Sequence, residues 1–279
     1  MKRFDTPAPI TVTASLVIAD LRLIATDRSD TVVDVSPTDS ARAADTRAAE
    51  QTRVDYLDGQ LIIKAPKQDT WSLFSKPGSI DVTIELPAGS RLTADSQICA
   101  LTATGRLGDC RIQFSVGDIQ LDQTGPLHAS SYGRIDANRI TGRAEITKSG
   151  TVRIHEIDGD ATVKVANGDC WIGAVTGELR ARTANGSIVV GSPGSGTVLS
   201  TANGDLRVDD IARGSISLKT SHGTIEVGIR QGIATLLDVS TKLGTIHNRM
   251  ARSAAPDDDE KTAEVHAHTN YGDIIIGNT

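Results

Sequence analysis

Aromatic residues are scarce in this sequence: two Trp, three Tyr and three Phe among 279 residues. So few rings exclude a single-strand nucleic-acid binder that stacks bases on aromatic platforms. They also leave the core to Val, Ile, Leu and Ala, which layer well in β structure. An excess of positive charge is missing too. With 29 Lys and Arg against 35 Asp and Glu the net charge is −6, which repels a phosphate backbone and disfavours nucleic acid as a partner. No apolar run approaches the ~18 residues of a membrane span. Lys2 and Arg3 are followed by Asp5, Pro7 and Pro9 instead of the apolar stretch of a secretory signal, so the expected location is the cytoplasm. Cysteine is equally sparse. Cys99, Cys110 and Cys170 lack the spacing of zinc or redox pairs. Cys110 and Cys170 stand where other repeats carry an aliphatic residue, as small buried thiols do.

What the chain does have is glycine in a repeating context. Gly117-Asp118-Ile119, Gly133-Arg134-Ile135, Gly150-Thr151-Val152, Gly168-Asp169-Cys170, Gly186-Ser187-Ile188, Gly204-Asp205-Leu206, Gly223-Thr224-Ile225, Gly244-Thr245-Ile246 and Gly272-Asp273-Ile274 share one pattern. Their glycines are 16, 17, 18, 18, 18, 19, 21 and 28 residues apart. Residues two and four after the glycine are apolar in most copies, as in Ile188 and Val190, Leu206 and Val208, and Ile274 and Ile276, with mostly polar residues between. That period of two predicts strands with one buried face. One such unit buries little alone, whereas stacked units share a continuous interior. The expected fold is therefore all-β: a single-stranded β-solenoid (β-helix) of about nine coils over residues 91–279. The alignment predicts ladders of Thr183, Thr201, Thr220, Thr241 and Thr269, and of Asn167, Asn185 and Asn203.

Residues 1–90 read as an N-terminal β-rich capping region that covers the first coil. Ile10, Val12 and Ala14, Leu21 and Leu23, and Val33 and Val35 alternate as in short strands. Ser36-Pro37-Thr38-Asp39 predicts the start of an alanine-rich helix near 38–53. Asp58-Gly59 signals a tight hairpin, and Ile80 to Leu86 another strand. The segment from Trp71 to Gly78, with Phe74, offers a candidate partner contact. Together with the Pro-rich start, Val33 to Pro37, Glu85-Leu86-Pro87-Ala88-Gly89 and the repeated Gly-Asp/Thr/Ser-Ile strands, the chain resembles the bacterial "putative adhesin" β-strand-repeat domain family of unknown function. That resemblance implies a binding role and carries over no functional residue.

Candidate sites come from the outward positions. Three residues after each glycine stand Gln120, Asp136, Arg153, Trp171, Val189, Arg207, Glu226, His247 and Ile275. Trp171 and Val189 fall on successive coils and form the candidate binding patch, since contiguous exposed apolar surface marks interfaces. Asp169 and Asp205, two coils apart, are the one carboxylate pair with a spacing suited to glycan hydrolysis. The competing reading is that each accepts hydrogen bonds from turn backbone. Aligning Val265, Ala267 and Thr269 with Leu237, Val239 and Thr241 sets Asp238 beside His266 and Ser240 beside His268, so that His266, His268 and Asp238 form a candidate metal site. The run Asp257-Asp258-Asp259-Glu260 reads as a solvated acidic loop. No nucleophile elbow, phosphate loop or dinucleotide fingerprint occurs, and no cofactor is implied. The expected function is a non-enzymatic, adhesin-like protein-binding or scaffold module. Self-association is the alternative, through an uncovered last coil ending at Ile276, and a polysaccharide-active enzyme the weaker rival.

Overall fold

The computed structural model describes residues 1–66, 77–250 and 262–279. Trp71, Phe74 and the acidic run Asp257 to Glu260 lie outside the described residues. The chain forms two units, Met1–Thr141 and Gly142–Thr279.

The first unit contains β1 (Lys2–Asp5), β2 (Thr11–Ser15), β3 (Ile18–Thr26), β4 (Asp30–Pro37), α1 (Ala43–Gln51), β5 (Arg53–Leu57), β6 (Gln60–Lys64), β7 (Ile80–Pro87), β8 (Arg91–Arg106), β9 (Cys110–Val116), β10 (Ile119–Thr124), β11 (Leu127–Ser130) and β12 (Arg134–Thr141). The long β8 makes a whole coil by itself. Its first half pairs with β9 and its second half with β10, both parallel. On the other side β8 meets β2 and β3, also parallel. β2 and β3 in turn meet β6 and β7. Beyond these lie antiparallel strands: β5 on β6, and β4 on β7 with β1 outermost. The outermost strands are short and charged, carrying Lys2, Arg3 and Asp5 or Arg53 and Asp55, which discourages pairing with another chain. Asp58 and Gly59, at φ of 48° and 76°, make the predicted tight turn between β5 and β6.

The helix begins later than the sequence suggests. β4 continues through Ser36 and Pro37, which pair with Asp81 and Ile80 of β7, so Ser36 serves an extended ladder instead of an N-cap. α1 opens at Ala43 behind Arg42, which makes no side-chain cap. Its buried Asp45 accepts the Ser79 backbone N–H at 3.0 Å and ties the helix to the segment entering β7. Ladder pairing over the whole of β4 outweighs a single capping signal.

The second unit contains β13 (Ala144–Ser149), β14 (Thr151–Asp158), β15 (Ala161–Asn167), β16 (Cys170–Val175), β17 (Leu179–Asn185), β18 (Ile188–Ser192), β19 (Gly196–Asn203), β20 (Leu206–Ile211), β21 (Gly214–His222), β22 (Ile225–Ile229), β23 (Ala234–Leu243), β24 (Ile246–Asn248), β25 (Thr262–Tyr271) and β26 (Ile274–Asn278). Each coil is two strands, and coils stack in parallel register: Cys170 on Ile188 on Leu206 on Ile225, for example. The inward side chains of these positions are buried, as the period of two requires. Burying each such Val, Leu or Ile is worth about 1.5–3 kcal/mol relative to leaving it exposed. The threonine ladder is also present. Thr183, Thr201 and Thr220 are paired in register, and Thr269 lies between Thr220 and Thr241.

That last placement corrects the expected coil order. β25 and β26 lie between β21–β22 and β23–β24, so Ile276 is fully buried in an interior strand and does not end the stack. The open edge belongs to β23 and β24. The chain can return one coil inward because the spacing from Gly244 to Gly272, at 28 residues, exceeds every other spacing in the repeat.

The cysteines are buried and unpaired. Burial pushes the Cys99 and Cys170 thiols up to about 12 and Cys110 up to about 11. Such thiols are not nucleophiles at neutral pH.

Corner glycines set the coil spacing. Gly186 has φ of +136°, and a Cβ there would overlap the carbonyl oxygen of Gly168 in the neighbouring coil. Gly59 also has positive φ but open space around it. Gly59→Ala should therefore cost about 1 kcal/mol, the conformational term alone. Gly186→Ala should cost several times more, because backbone must move as well. Urea unfolding of the two variants checks this, and equal midpoints would show that the corner contact is not limiting.

Candidate functional site

The second unit offers two strand faces, one from β14, β16, β18, β20, β22, β26 and β24 and the other from the strands that precede them in each coil. On the first face the predicted outward column is in register: Arg153, Trp171, Val189, Arg207, Glu226, Ile275, His247. Trp171 and Val189 are side by side and half-buried, while Ile275 is separated from them by Arg207 and Glu226. Trp171 is held on three sides. The Arg153 guanidinium lies 5.0 Å from the ring centroid, and His155 meets the ring edge-on at 5.0 Å. Beneath the far end of the indole is Gly173, where a Cβ would come within 3.2 Å of the ring. Gly191 of the next strand lies opposite Gly173, so bare backbone continues beside the ring and leaves a shallow shelf. Beyond Val189, Arg207 is bound to Asp209 at 2.6 Å and to Glu226 at 3.3 Å.

Asp169 and Asp205 are occupied as backbone acceptors. Asp169 Oδ1 accepts the Ser187 N–H at 2.8 Å, and Asp205 Oδ1 accepts the Thr224 N–H at 2.7 Å. Asp273 does the same for Thr245 at 2.8 Å. These carboxylates satisfy the corner of the next coil, which is the turn role the sequence also allowed.

The histidines project from the second face, in the register the sequence alignment gave. His266 Nδ1 is 3.1 Å from Asp238 and its Nε2 is 2.9 Å from Glu264, while His268 Nδ1 is 2.8 Å from the Ser240 hydroxyl. Lys219 and Ser217 of β21 stand on the opposite side of β25. With its ring nitrogens facing two carboxylates, His266 has its pKa raised, first by the Asp238 hydrogen bond. Among the described residues no three His, Cys, Asp or Glu side chains group to hold a metal ion.

Sequence reasoning missed the stacked rings of His222 and Tyr271, 4.8 Å apart and 5° from parallel. Both stand one residue before a repeat glycine, continuing the asparagine ladder. Only the inward return of β25 makes them neighbours. Asn185 donates to Asn167 at 2.7 Å and Asn203 to Asn185 at 2.8 Å, as the ladder predicted.

A family model described as Toastrack DUF4097 matches residues 15–278. No curated protein matches the chain. Among solved structures it is similar to a "putative adhesin" from Bacteroides fragilis NCTC 9343, with 11% identity over 99% of this chain and 95% of that one, at a TM-score of 0.33. A counterpart of the same description from Parabacteroides merdae ATCC 43184 has 9% identity over 100% and 95%, at 0.35. A third, a "putative cell adhesion protein" from Clostridium sporogenes ATCC 15579, has 12% identity over 100% and 98%, at 0.27. No helix of the described residues is long and apolar enough to cross a membrane.

The raised pKa of His266 has a definite sign. A group protonated more readily in the folded state contributes stability in full below its unfolded value, here about 6.5. That contribution is lost as pH rises through the higher folded value. The β23–β25 pairing should loosen across that window, and Asp238→Asn should move the His266 titration back toward the ordinary value. NMR titration of the imidazole, with amide exchange of β23, measures both. A titration midpoint unchanged by Asp238→Asn would remove the assignment.

Proposed function

Because the chain belongs to the Toastrack DUF4097 family, whose fold is a β-helical solenoid, we propose that it works as a non-enzymatic, adhesin-like binding or scaffold module for a protein partner. The observation that carries this reading is Trp171. It stands on an outward strand position beside Val189, on a glycine floor, with Arg153 over its ring. Trp and Arg are the side chains most often found at the energetic centre of protein interfaces. The shelf over Gly173 and Gly191 gives room for a partner side chain to reach the indole. The turn role of Asp169 and Asp205, each accepting a backbone N–H of the next coil, supports the binding reading over the enzymatic one.

The open edge of β23 and β24 supports self-association as a second reading. Leu236, Leu243 and Ile246 there are 65%, 64% and 41% exposed. No antiparallel strand covers them among the described residues, in contrast to the short, charged edges of the first unit. A second copy pairing along β23 and β24 would cover this edge. Light scattering against concentration tests it: a mass that climbs toward a dimer in wild type and stays monomeric in Leu236→Lys is the expected result. A strict monomer at high concentration removes the idea.

For the Trp171 face, quantitative capture from cell extract and from a cell-surface fraction should retain a partner on the wild-type protein. At least tenfold less of it should remain on Trp171→Asp, once circular dichroism shows both folded. Identical partner sets on the two proteins would overturn this contact.

A further inference from the structure

Several outward charges on the strands of this protein are paired. Arg28 meets Asp30 and Glu85, Arg134 meets Asp136, Arg207 meets Asp209 and Glu226, and Arg230 meets Asp210. On the second face of the Gly142–Thr279 unit, cations without an ion pair among the described residues stand in register on successive strands. Four residues before each repeat glycine, the register of β15, β17, β19, β21 and β25 aligns Lys164, Arg182, Ser200, Lys219 and His268 in one row. Lys164, Arg182 and Lys219 are exposed, and no carboxylate pairs with them among the described residues. Lys164 and Arg182 are immediate cross-strand neighbours, an arrangement of like charges that disfavours the folded state. With strands about 4.8 Å apart, the row runs on the order of 20 Å along the stack.

The ground beside the row suits a chain lying along it. The next outward positions are Ala166, Ala184 and Ala202, all exposed and too small to obstruct a ligand. Past them runs the asparagine ladder, ending in the stacked rings of His222 and Tyr271. A cationic rail, a low floor and a line of amides thus repeat once per coil, at a spacing comparable with the length of one pyranose residue.

We infer that this face binds a linear acidic polysaccharide, its carboxylate or sulfate groups on Lys164, Arg182 and Lys219 and its hydroxyls toward the asparagine ladder. Charge complementarity selects the anion. The regular repeat and the amide line select a glycan over an acidic peptide, whose side chains alternate in direction. Nucleic acid fits less well, since the row is one cation wide on a chain of net charge −6. This face is separate from the Trp171 contact, and either can fail without the other.

The test uses the full chain at low salt, with immobilised heparin and polygalacturonate as the sulfated and carboxylated probes. Neutral dextran, poly-glutamate and single- and double-stranded DNA are the comparisons. The wild type should bind one or both acidic polysaccharides at least tenfold more tightly than any comparison, and binding should weaken with salt. Lys164→Gln/Arg182→Gln/Lys219→Gln should lose at least tenfold. The same neutralisation in the other unit, Arg53→Gln/Lys64→Gln/Arg91→Gln, should lose little, and Lys164→Arg/Lys219→Arg should keep binding. Circular dichroism establishes that each variant is folded. Failure of the wild type to hold either polysaccharide, equal loss in both triple variants, or equal affinity for DNA or poly-glutamate would each overturn the proposal.

Discussion

Each coil of the second unit is held to the next at its glycine corner, and the rest of that unit is arranged around this approach. The chain turns so closely beneath its neighbour that the space of a Cβ at Gly168, Gly186, Gly204, Gly223 or Gly272 is taken by the neighbouring glycine's carbonyl. That carbonyl is part-buried, and an acceptor left unpaired there is costly. The inward threonine of the next coil resolves this. Thr201 donates to Gly186, Thr220 to Gly204 and Thr241 to Gly272 at 3.0 Å, and Thr269 to Gly223 at 3.1 Å. Where aspartate follows the glycine, as at Asp169, Asp205 and Asp273, it completes the joint from outside by accepting the next coil's N–H, and after Gly186 the Ser187 hydroxyl takes that place.

A stack joined in this way is indifferent to the order in which the chain visits its coils. Identical corners fit any neighbour, so β25–β26 sits between β22 and β24 in the same register that sequence order would have given β23–β24. In the first unit β2–β3 is likewise interior, between β6–β7 and β8. The two units differ in how their stacks end. Antiparallel strands close the first beyond β6 and β7. In the second, β23 keeps a ten-residue edge whose inward positions are only half-buried, and the contact of His266 with Asp238 ties that last strand to β25 where burial is thin.

The parts of the structure that depend on period and local spacing were legible in the sequence. The strand repeat, the threonine and asparagine ladders, the Trp171–Val189 pairing and the Asp238–His266 register all derive from counting residues to the nearest glycine. Coil order did not, because equivalent corners carry no information about which coil comes next, and the His222–Tyr271 stack was hidden with it. The helix start was misplaced for the complementary reason. A Ser-Pro-x-Asp signal is local, while β4 is extended through Ser36 and Pro37 by a partner more than forty residues away. The cationic row was visible as the position four before each glycine, but its continuity from Lys219 to His268 needs the inward return of β25.

Function on such a frame has to be sought in the outward columns, since the inward ones are committed to the core and the corners. An outward position is free to carry almost any polar side chain at little cost to the fold, so the informative positions are those that carry something costly. A half-buried indole at an outward position is one such case, and it is steadied by Arg153 and His155. Adjacent unpaired cations are another. On the first face the charge of Arg207 is neutralised within its own strand and the next, while that of Arg153 lies against the indole ring. On the second face the cations are left unneutralised beside small residues and amides. Two faces of one set of coils thus separate an apolar contact from an electrostatic one, and the solenoid keeps them apart because a side chain cannot change face without a shift of one residue in register.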